Sequence, residues 1–400
     1  MTGSGSTAGD LTDSFRPLKV LLVGPVPPPY GGIPKYVADL LAAKLEGVEW
    51  SHFNTAMPAW VAPLDREGRF SYRSLTEDGP WVAFKKSAYV AVSFARFLGK
   101  VIGTRPDVVH VFTCSFWGYW RNVVYLWLAK LRGLPTILHL LNAIDIFYES
   151  SGSVTRGFLR RSFRTADLYV LQSEGLARWL RQYTRRTVLG FFNAIDRTRL
   201  PEPVPVEYPV FRLGFPVGLT VGALGGNKGT ADILKALQRL TQEGLEIGWL
   251  FVGRGDREKY SGMAAELALT DRVFFAGEID EASKWGCLRQ SAFFCLPSYS
   301  EGQPIAIIEA MIAGLPIVAT RIGTIPEMVN RENAILIEPG DSVALTEAIA
   351  RLARSAELRT RMGQESARLG RENHDFDVLL KNLKQAYATL PKGLAGSAGG

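Results

Sequence analysis

The stretch Glu301-Gly-Gln-Pro-Ile-Ala-Ile-Ile-Glu309 is the most informative part of this sequence for the fold and the site, because it places two carboxylates around the start of one helix. Pro304 suits the first turn of a helix, Gly314 suits a left-handed stop, and Pro316 prevents continuation. These residues predict a helix from about 304 to 313. Glu301 then lies in the preceding loop, and Glu309 projects from the second turn of a helix whose N-terminal amide groups favour an anionic ligand.

The residues on either side of this stretch are apolar. Residues 292–298 form an apolar run before it, and residues 317–320 form another after the expected turn at Gly314. Strand, loop, helix and strand in this order are typical of a parallel sheet that binds nucleotides. Two acidic residues on one helix also fit a solvated face, and that alternative stays open for the pair taken alone.

The same region resembles the retaining nucleotide-sugar glycosyltransferases of family four, in particular members that build polysaccharides. The match covers residues 296–311 and continues in Gly314-Leu-Pro316 and Gly323-Thr-Ile-Pro-Glu327. The resemblance implies an α/β chain with the GT-B fold, in which two Rossmann-like, doubly wound parallel-sheet domains face a cleft and a C-terminal helix crosses back to the N-terminal domain. It also implies that Glu301 faces the donor sugar and that Glu309 binds the ribose hydroxyls. The donor-binding loop between them contains Gly302, Gln303 and Pro304.

Length and composition favour a two-domain protein of the cytosol. The 400 residues, with 47% hydrophobic content, exceed what one hydrophobic core usually serves. The three cysteines show no paired or metal-binding spacing, which favours a reducing compartment. The N-terminal residues lack the pattern of a signal peptide, and no uninterrupted apolar run reaches about 20 residues, so we expect no transmembrane helix.

Domain boundaries follow from the pattern along the chain. Buried strands are predicted at residues 18–25, 107–112, 135–141 and 167–171, and helices at residues 36–45, from about 230, and at 376–387. Residues 193–196 resemble the junction that closes the N-terminal domain in the family, and several prolines follow. The predicted parts are a flexible lead at 1–16, an acceptor-side domain at 17–196, a linker at 197–212, a nucleotide-sugar-binding domain at 213–372, a returning helix at 373–390 and a disordered tail at 391–400.

Glycines and two cations are candidates for binding the donor diphosphate. Gly31 and Gly32 lie between a strand and a helix, where backbone amides can approach a phosphate, but a tight turn also explains them. In the family, this glycine pair lies against the diphosphate. Lys228 resembles the family's Lys-Gly motif, although a solvated loop lysine is the alternative. Ala223 stands where the family commonly has arginine, so Arg254 is a candidate replacement, with an exposed turn arginine as the alternative.

Catalysis by such an enzyme consists mainly of stabilising charge on the leaving diphosphate and holding donor and acceptor in line. The resemblance implies that the leaving phosphate takes the acceptor proton on the face where attack occurs. Lys228 would stabilise the phosphate and Glu301 would orient the sugar, so these two are the predicted catalytic residues. We expect no cofactor and no metal, with the nucleotide sugar as substrate.

The acceptor side departs from the family. Close relatives often have His-Leu-His-Gly where this chain has His139-Leu-Leu-Asn142, so Leu141 replaces the histidine that reaches the donor site. His139 is either a core histidine or an acceptor-side group, and the same two roles stay open for His110. Asn142 and Asp145 are candidates for replacing the missing acceptor contacts.

The positive charge lies in the first half of the chain. Residues 1–200 contain 25 Lys+Arg against 15 Asp+Glu, a net charge of +10, whereas the remainder has 21 against 24, a net charge of −3. Apolar and basic residues recur at helical spacing in 81–100, and a further cluster consists of Arg156, Arg160, Arg161 and Arg164. This composition indicates an anionic membrane surface as a partner, although core-covering amphipathic helices are the alternative. No nucleic-acid-binding motif accompanies the charge.

The main hypothesis is a retaining, metal-independent hexosyltransferase at the cytoplasmic face of the membrane. It would move a sugar from a nucleotide donor to a lipid-linked saccharide acceptor in the synthesis of a surface polysaccharide. Leu141 and Ala223 motivate a rival, a catalytically silent GT-B protein that binds a nucleotide sugar or a partner enzyme. A nucleotide-sugar epimerase or hydrolase is the third hypothesis.

Overall fold

Two six-stranded parallel sheets organise the computed structural model, which describes residues 16–28, 32–58, 80–113, 117–141 and 144–390. The first sheet has the order β2-β1-β3-β4-β5-β6. Its strands are β1 Leu18–Gly24, β2 Val48–Asn54, β3 Val108–Thr113, β4 Thr136–Leu140, β5 Leu168–Leu171 and β6 Thr187–Gly190. All residues of β3, β4 and β5 are buried, as expected for parallel strands covered on both faces.

The second sheet has the order β12-β11-β10-β7-β8-β9. Its strands are β7 Val217–Val221, β8 Gly248–Val252, β9 Val273–Gly277, β10 Phe293–Leu296, β11 Ile317–Thr320 and β12 Ala334–Ile337. Alternate residues of β8 enter different cores: Trp249 lies in the core on one face and Leu250 in the core on the other. The chain runs outward in opposite directions from β7 and β10, so the topological switch point lies between these neighbouring strands.

Helices connect the strands throughout the described residues. They are α1 Gly32–Ala42, α2 Pro80–Thr104, α3 Trp117–Lys130, α4 Ile144–Ser150, α5 Ser153–Ser162, α6 Glu174–Arg181, α7 Thr230–Gln242, α8 Arg257–Glu266, α9 Glu281–Gln290, α10 Ile305–Ile312, α11 Ile325–Met328, α12 Ser342–Arg354, α13 Ala356–His374 and α14 Phe376–Ala388. Within the described ranges, none of these helices has the length and hydropathy needed to cross a membrane.

The described residues divide into two compact units. The first contains those within 16–112 and 121–137, and the second contains those within 113–120 and 138–390. The boundary predicted near residues 196–212, the linker and the two predicted domains stay predictions. The predicted lead and tail fall largely or wholly outside the described residues.

Most of the predicted elements are present, with shifted ends. The helix predicted at about 304–313 is α10, and Pro304 is its N-cap residue with extended backbone angles. The helix predicted over 36–45 is α1, which begins at Gly32 because Pro34 fits a first helical turn. The helix predicted at 376–387 is α14, which begins at the predicted residue. Residues 373 and 374 of the predicted returning segment belong to α13, and the break at Asp375 has an extended backbone.

Candidate active site

The candidate site lies at the carboxyl ends of the strands in the second sheet, where parallel α/β sheets bind ligands. The loop after β7 contains Lys228, and the loop after β10 contains Glu301. Because β7 and β10 flank the topological switch point, these two loops meet above neighbouring strands. The tyrosine amide of the second loop confirms this contact: Tyr299 N donates to Asn227 O at 2.8 Å.

The loop that carries Lys228 is held by a glycine. Gly226–Lys228 form one 3-10 turn, and Gly229 then adopts a left-handed conformation with φ 68° before α7 begins. A Cβ atom at Gly229 would lie 2.4 Å from the carbonyl oxygen of Pro297. Glycine is therefore required at this position both for its backbone angle and for the close approach of the second loop.

The two predicted catalytic residues contact each other. The ammonium of Lys228 forms an ion pair with Glu301 Oε1, and Ser298 Oγ donates a hydrogen bond to the same oxygen at 2.8 Å. The Glu301 side chain is 9% exposed and the Lys228 side chain 25% exposed. Ser298 is itself fully buried, so the carboxylate is fixed by a rigid neighbour as well as by a cation. Sequence reasoning did not identify Ser298 as a site residue.

The loop that follows Glu301 is fixed by the segment after β11. The carbonyl of Gly302 accepts hydrogen bonds from Thr324 N at 3.1 Å and from Thr324 Oγ1 at 2.9 Å. A Cβ atom at Gly323 would lie 2.3 Å from Glu301 O, so this glycine allows the two loops to touch. The side chain of Gln303 is turned toward Asn193, whose backbone N–H donates to Gln303 Oε1 at 2.7 Å. The Gln303 side chain therefore holds the backbone of Asn193 in this structure.

Glu309 lies in a second carboxylate site, which includes a lysine that sequence reasoning missed. Lys284 Nζ is 2.7 Å from Glu309 Oε1 and 2.8 Å from Glu281 Oε1. The Glu309 and Lys284 side chains are 8% and 13% exposed. Burial lowers the pKa of Lys284, but the carboxylates of Glu309 and Glu281 outweigh burial and raise it above its ordinary value. The only signal in the sequence was a lysine in a helix with several apolar residues.

Arg254 also has a carboxylate partner. Its guanidinium forms an ion pair with Glu278, and its side chain is 27% exposed. The backbone of the Arg254 loop pairs with the loop that leads to Lys228, through a bridge between Leu224 and Gly255. A role for Arg254 as a second cation for the diphosphate stays a prediction.

The remaining candidates come from the first 145 residues of the chain. Gly31 and Asn142 lie outside the described residues, and Gly32 is the exposed first residue of α1. His110 is fully buried in β3 with its ring stacked on Phe112. His139 is 1% exposed in β4, and burial lowers its pKa to about 3, so it is neutral at physiological pH.

Asp145 is the remaining acceptor-side candidate and lies in the first turn of α4. Its Oδ1 atom is buried and forms no hydrogen bond with the described residues. Leu141, which stands at the position of the family's second histidine, is 8% exposed and continues from β4. The acceptor roles of His110, His139, Asn142 and Asp145 stay predictions.

Asp375 and Asp377 form an Asp-x-Asp sequence that sequence reasoning passed over. Asp375 Oδ1 accepts a hydrogen bond from Asp377 N at 3.2 Å and so caps α14, while Oδ2 is 3.1 Å from the guanidinium of Arg197. This arrangement gives Asp375 a structural role. No group of three or more metal-binding side chains occurs in the parts of the chain that the structure describes.

Glu327, which belongs to the Gly323–Glu327 motif of the sequence, forms a further polar contact within the second unit. Its carboxylate accepts hydrogen bonds from Ser173 Oγ and from Gly175 N, each at 2.8 Å. Ser173 also caps α6, because its hydroxyl accepts a bond from Leu176 N at 3.1 Å. The helix start is therefore fixed by a carboxylate from a segment far along the chain.

Comparison with known proteins gives matches in sequence and in structure. Residues 210–369 match the family model described as "Glycosyl transferases group 1". A phosphatidyl-myo-inositol mannosyltransferase of Mycobacterium leprae is 32% identical over 184 residues, covering 44% of this chain and 48% of that protein. The Escherichia coli protein WcaL, named as a glycosyltransferase of colanic acid biosynthesis, is 26% identical over 367 residues, covering 84% of this chain and 87% of that protein. The chain thus spans about half the length of the first relative and most of the second.

The solved structure of Anabaena HepE in complex with UDP superposes with a TM-score of 0.70 at 17% identity, covering 93% of this chain and 100% of that chain. At this identity the superposition shows the fold, and with the two parallel sheets it confirms the predicted GT-B class. The facing of the two domains across a cleft and the crossing of α14 stay predictions. The match of residues 210–369 to the group 1 glycosyl transferases confirms the family resemblance predicted from the stretch between Glu301 and Glu309.

Proposed function

We propose that this protein is a retaining glycosyltransferase that moves a sugar from a nucleotide-sugar donor to a lipid-linked saccharide during the synthesis of a surface glycan. The observation that carries the proposal is the contact between Lys228 and Glu301 at the switch point of the second sheet. A cation and a carboxylate fixed side by side suit a donor that presents a diphosphate next to a sugar rich in hydroxyl groups.

Each charged group has a distinct role in the proposed reaction. Lys228 stabilises the negative charge that develops on the departing diphosphate. Glu301 accepts hydrogen bonds from the sugar hydroxyls, while Ser298 keeps its carboxylate in place. The bond between the anomeric carbon and the diphosphate oxygen breaks as the acceptor oxygen attacks from the same face, and the leaving phosphate takes the acceptor proton.

Glu309 is assigned to the nucleotide. Its carboxylate binds the ribose hydroxyls, and Lys284 holds one of its oxygens in a fixed position. The chain's own lysines provide the positive charge in this scheme, and no metal ion or cofactor takes part in it. Arg254 becomes a second cation for the diphosphate when it leaves Glu278.

Three observations support a lipid-linked acceptor at the membrane. Relatives include proteins named for phosphatidyl-myo-inositol mannosyl transfer and for colanic acid biosynthesis. The first 200 residues carry a net charge of +10 from 25 basic and 15 acidic residues. Described helices expose large apolar side chains, among them Trp127, Val154 and Phe158. Peripheral attachment at the cytoplasmic face would bring the cleft expected of this fold to its acceptor.

The test is a donor panel with a membrane acceptor. Purified protein is incubated with uridine, guanosine and adenosine diphosphate sugars and with membrane lipid extract, and nucleoside diphosphate release and labelled lipid are measured together. Release that depends on the acceptor with one donor class is the expected result. Saturable nucleotide binding without release would instead support the silent protein suggested by Leu141 and Ala223, and release without acceptor would support a hydrolase. A product with an inverted anomeric centre would contradict the retaining mechanism.

Variants separate the roles of the two carboxylates. Glu301→Ala should mainly lower the rate of transfer, whereas Glu309→Ala should mainly weaken nucleotide binding. Glu347→Ala, at an exposed position of α12, is the control and should change neither quantity. An equal loss of nucleotide affinity in Glu301→Ala and Glu309→Ala would contradict the assignment.

A further inference from the structure

We propose that the exposed face of α5 and the arginine-lined groove beside it form the surface that docks on an anionic lipid bilayer. The inference rests on the proposed function, since it names the surface by which the enzyme would reach a lipid-linked acceptor. All of the residues concerned belong to the second compact unit. Residues 151–190 contain eight arginines and two acidic residues, Asp167 and Glu174, a net charge of +6.

The first component is the solvent face of α5. This helix buries Leu159 and Ser162, whereas Val154 is 72% exposed and Phe158 is 62% exposed. The two exposed apolar residues are four positions apart and therefore lie next to each other on one face of the helix. Arg161 follows Phe158 by three positions and shares that face. A helix that exposes phenylalanine and valine between arginines is typical of a helix that lies in a membrane interface.

The second component is a surface groove of about 840 Å³ lined by Arg164, Arg181, Gln182, Tyr183, Thr184, Arg185 and Arg186. The charges of two of its arginines are neutralised by carboxylates, because Arg181 pairs with Glu174 and Arg186 lies 3.6 Å from Asp167. Arg164 and Arg185 form no ion pair with any residue in the described ranges. The groove therefore presents two unneutralised guanidinium groups, which suit phosphate geometry.

One side chain links the two components. The guanidinium of Arg160, on α5, lies over the ring of Tyr183 with 5.7 Å to the ring centroid, and Tyr183 lines the groove. Arg160 also lies 5.6 Å from the centroid of the Tyr148 ring and donates a hydrogen bond to the Tyr148 hydroxyl. The helix face and the groove are consequently neighbouring parts of one surface, with an ordered cation between them.

The combination of charge and apolar exposure selects a bilayer as the occupant. Phosphate groups of the lipid headgroups lie just outside the acyl boundary, so a single surface can offer arginines to the phosphates and insert apolar side chains below them. A nucleic acid would bind the arginines through its phosphates and stack a base on Phe158, but it has no apolar region in which Val154 could be buried. Charge complementarity with an anionic leaflet therefore accounts for both components.

The test measures the binding of the full-length protein to vesicles without any nucleotide sugar. Wild-type protein should sediment with vesicles that contain phosphatidylglycerol and much less with pure phosphatidylcholine. Arg164→Gln with Arg185→Gln should weaken binding about 25-fold, because each arginine near an anionic surface contributes about fivefold. Val154→Ser with Phe158→Ser should weaken it about tenfold or more. Excess soluble glycerophosphate should displace little of the bound protein.

Matched variants control for charge and for apolar exposure elsewhere. Arg361→Gln with Arg371→Gln removes two exposed arginines of α13, and Val343→Ser removes a valine that is 59% exposed on α12. Both controls should bind vesicles as the wild type does. Denaturation curves verify that every variant is folded.

The outcomes separate this inference from the proposed function. Unchanged vesicle binding in both surface variants would overturn the inference. A wild-type protein that binds RNA but no vesicles, with the RNA binding lost in the surface variants, would also overturn it. Transfer to an acceptor dispersed in detergent should survive in the surface variants, since none of their positions contacts the candidate site. Absence of transfer in the wild type, together with vesicle binding that depends on α5 and the groove, would contradict only the proposed function.

Discussion

The ion pair between Lys284 and Glu309 allows the stability of the fold to be separated from binding of the nucleotide. The perturbation is Lys284→Met, which keeps an unbranched chain of similar length and removes the charge. Glu309 is 8% exposed and its Oε1 lies 2.7 Å from Lys284 Nζ. Removing one partner of a buried ion pair costs about 3 to 5 kcal/mol. The contact of Lys284 with Glu281, whose side chain is 56% exposed, adds about 1 kcal/mol at most.

We therefore expect Lys284→Met to lower the free energy of unfolding by about 3 kcal/mol. Glu309→Gln should cost less, about 1 to 2 kcal/mol, because Lys284 retains Glu281. The double variant Lys284→Met with Glu309→Met should recover most of the stability, since replacing a buried pair by apolar residues is often neutral. Nucleotide affinity should not recover, because the carboxylate that binds the ribose is gone.

Guanidinium denaturation followed by tryptophan fluorescence measures the stability, since Trp285 is buried next to Lys284 in α9. Calorimetry with uridine and guanosine diphosphate measures the affinity. Because the folded pKa of Lys284 is raised, its contribution to stability is complete below its ordinary pKa of 10.5 and is lost as the pH rises through the higher folded value. Wild-type stability in the single Lys284→Met variant, or a double variant that loses the sum of the single losses, would refute the reasoning.

Three further predictions concern the surroundings of the site. Gly229→Ala should abolish donor binding, because a Cβ atom there meets Pro297 O at 2.4 Å and the backbone is left-handed, whereas Gly226→Ala has open space and should bind normally; equal affinities in calorimetry would contradict this. Burial lowers the pKa of His374 to about 4, so the unfolded chain takes up a proton first as the pH falls below 6.5. The wild type should therefore lose about 2 kcal/mol of stability between pH 7 and pH 5 through this residue, and His374→Asn should not show that loss. An unchanged dependence of the free energy of unfolding on pH in the variant would count against it. Ser173→Ala should lower the free energy of unfolding by about 2 kcal/mol, since it removes both the cap of α6 and a bond to Glu327; thermal denaturation that matches the wild type would show that neither bond stabilises the fold.

Much of the fold could be predicted because the strands are apolar runs bounded by turn residues. The strand predicted at residues 18–25 is β1 Leu18–Gly24, and the helix predicted from about 230 is α7 Thr230–Gln242. Such elements depend on local periodicity and on glycine and proline, which the sequence displays directly. The ends shifted where several residues could begin a helix: the helix predicted over 36–45 is α1 Gly32–Ala42, because Pro34 also fits a first helical turn.

The site was predicted in part for the same reason. Lys228 and Glu301 stand in motifs at strand ends, so the sheet order brings them together. The partner of Glu309 could not be predicted, because Lys284 lies 25 positions away and its charge partner depends on how α9 packs beside α10. Ser298 was overlooked since its role depends on the rotamer of Glu301, which no sequence pattern encodes.

The backbone pairing of the loops after β7 and β8 has a consequence for protein engineering. A Cβ atom at Gly253 would lie 2.0 Å from Gly222 O, and one at Gly255 would lie 2.4 Å from Leu224 O. The two loops therefore pack against each other only in one register and only with glycine at these positions. Together they form one structural unit, which contains both Lys228 and Arg254. A designer who wishes to change the donor preference by exchanging loops with a relative must transplant both loops together, since either loop alone would meet side chains where its partner leaves room only for hydrogen.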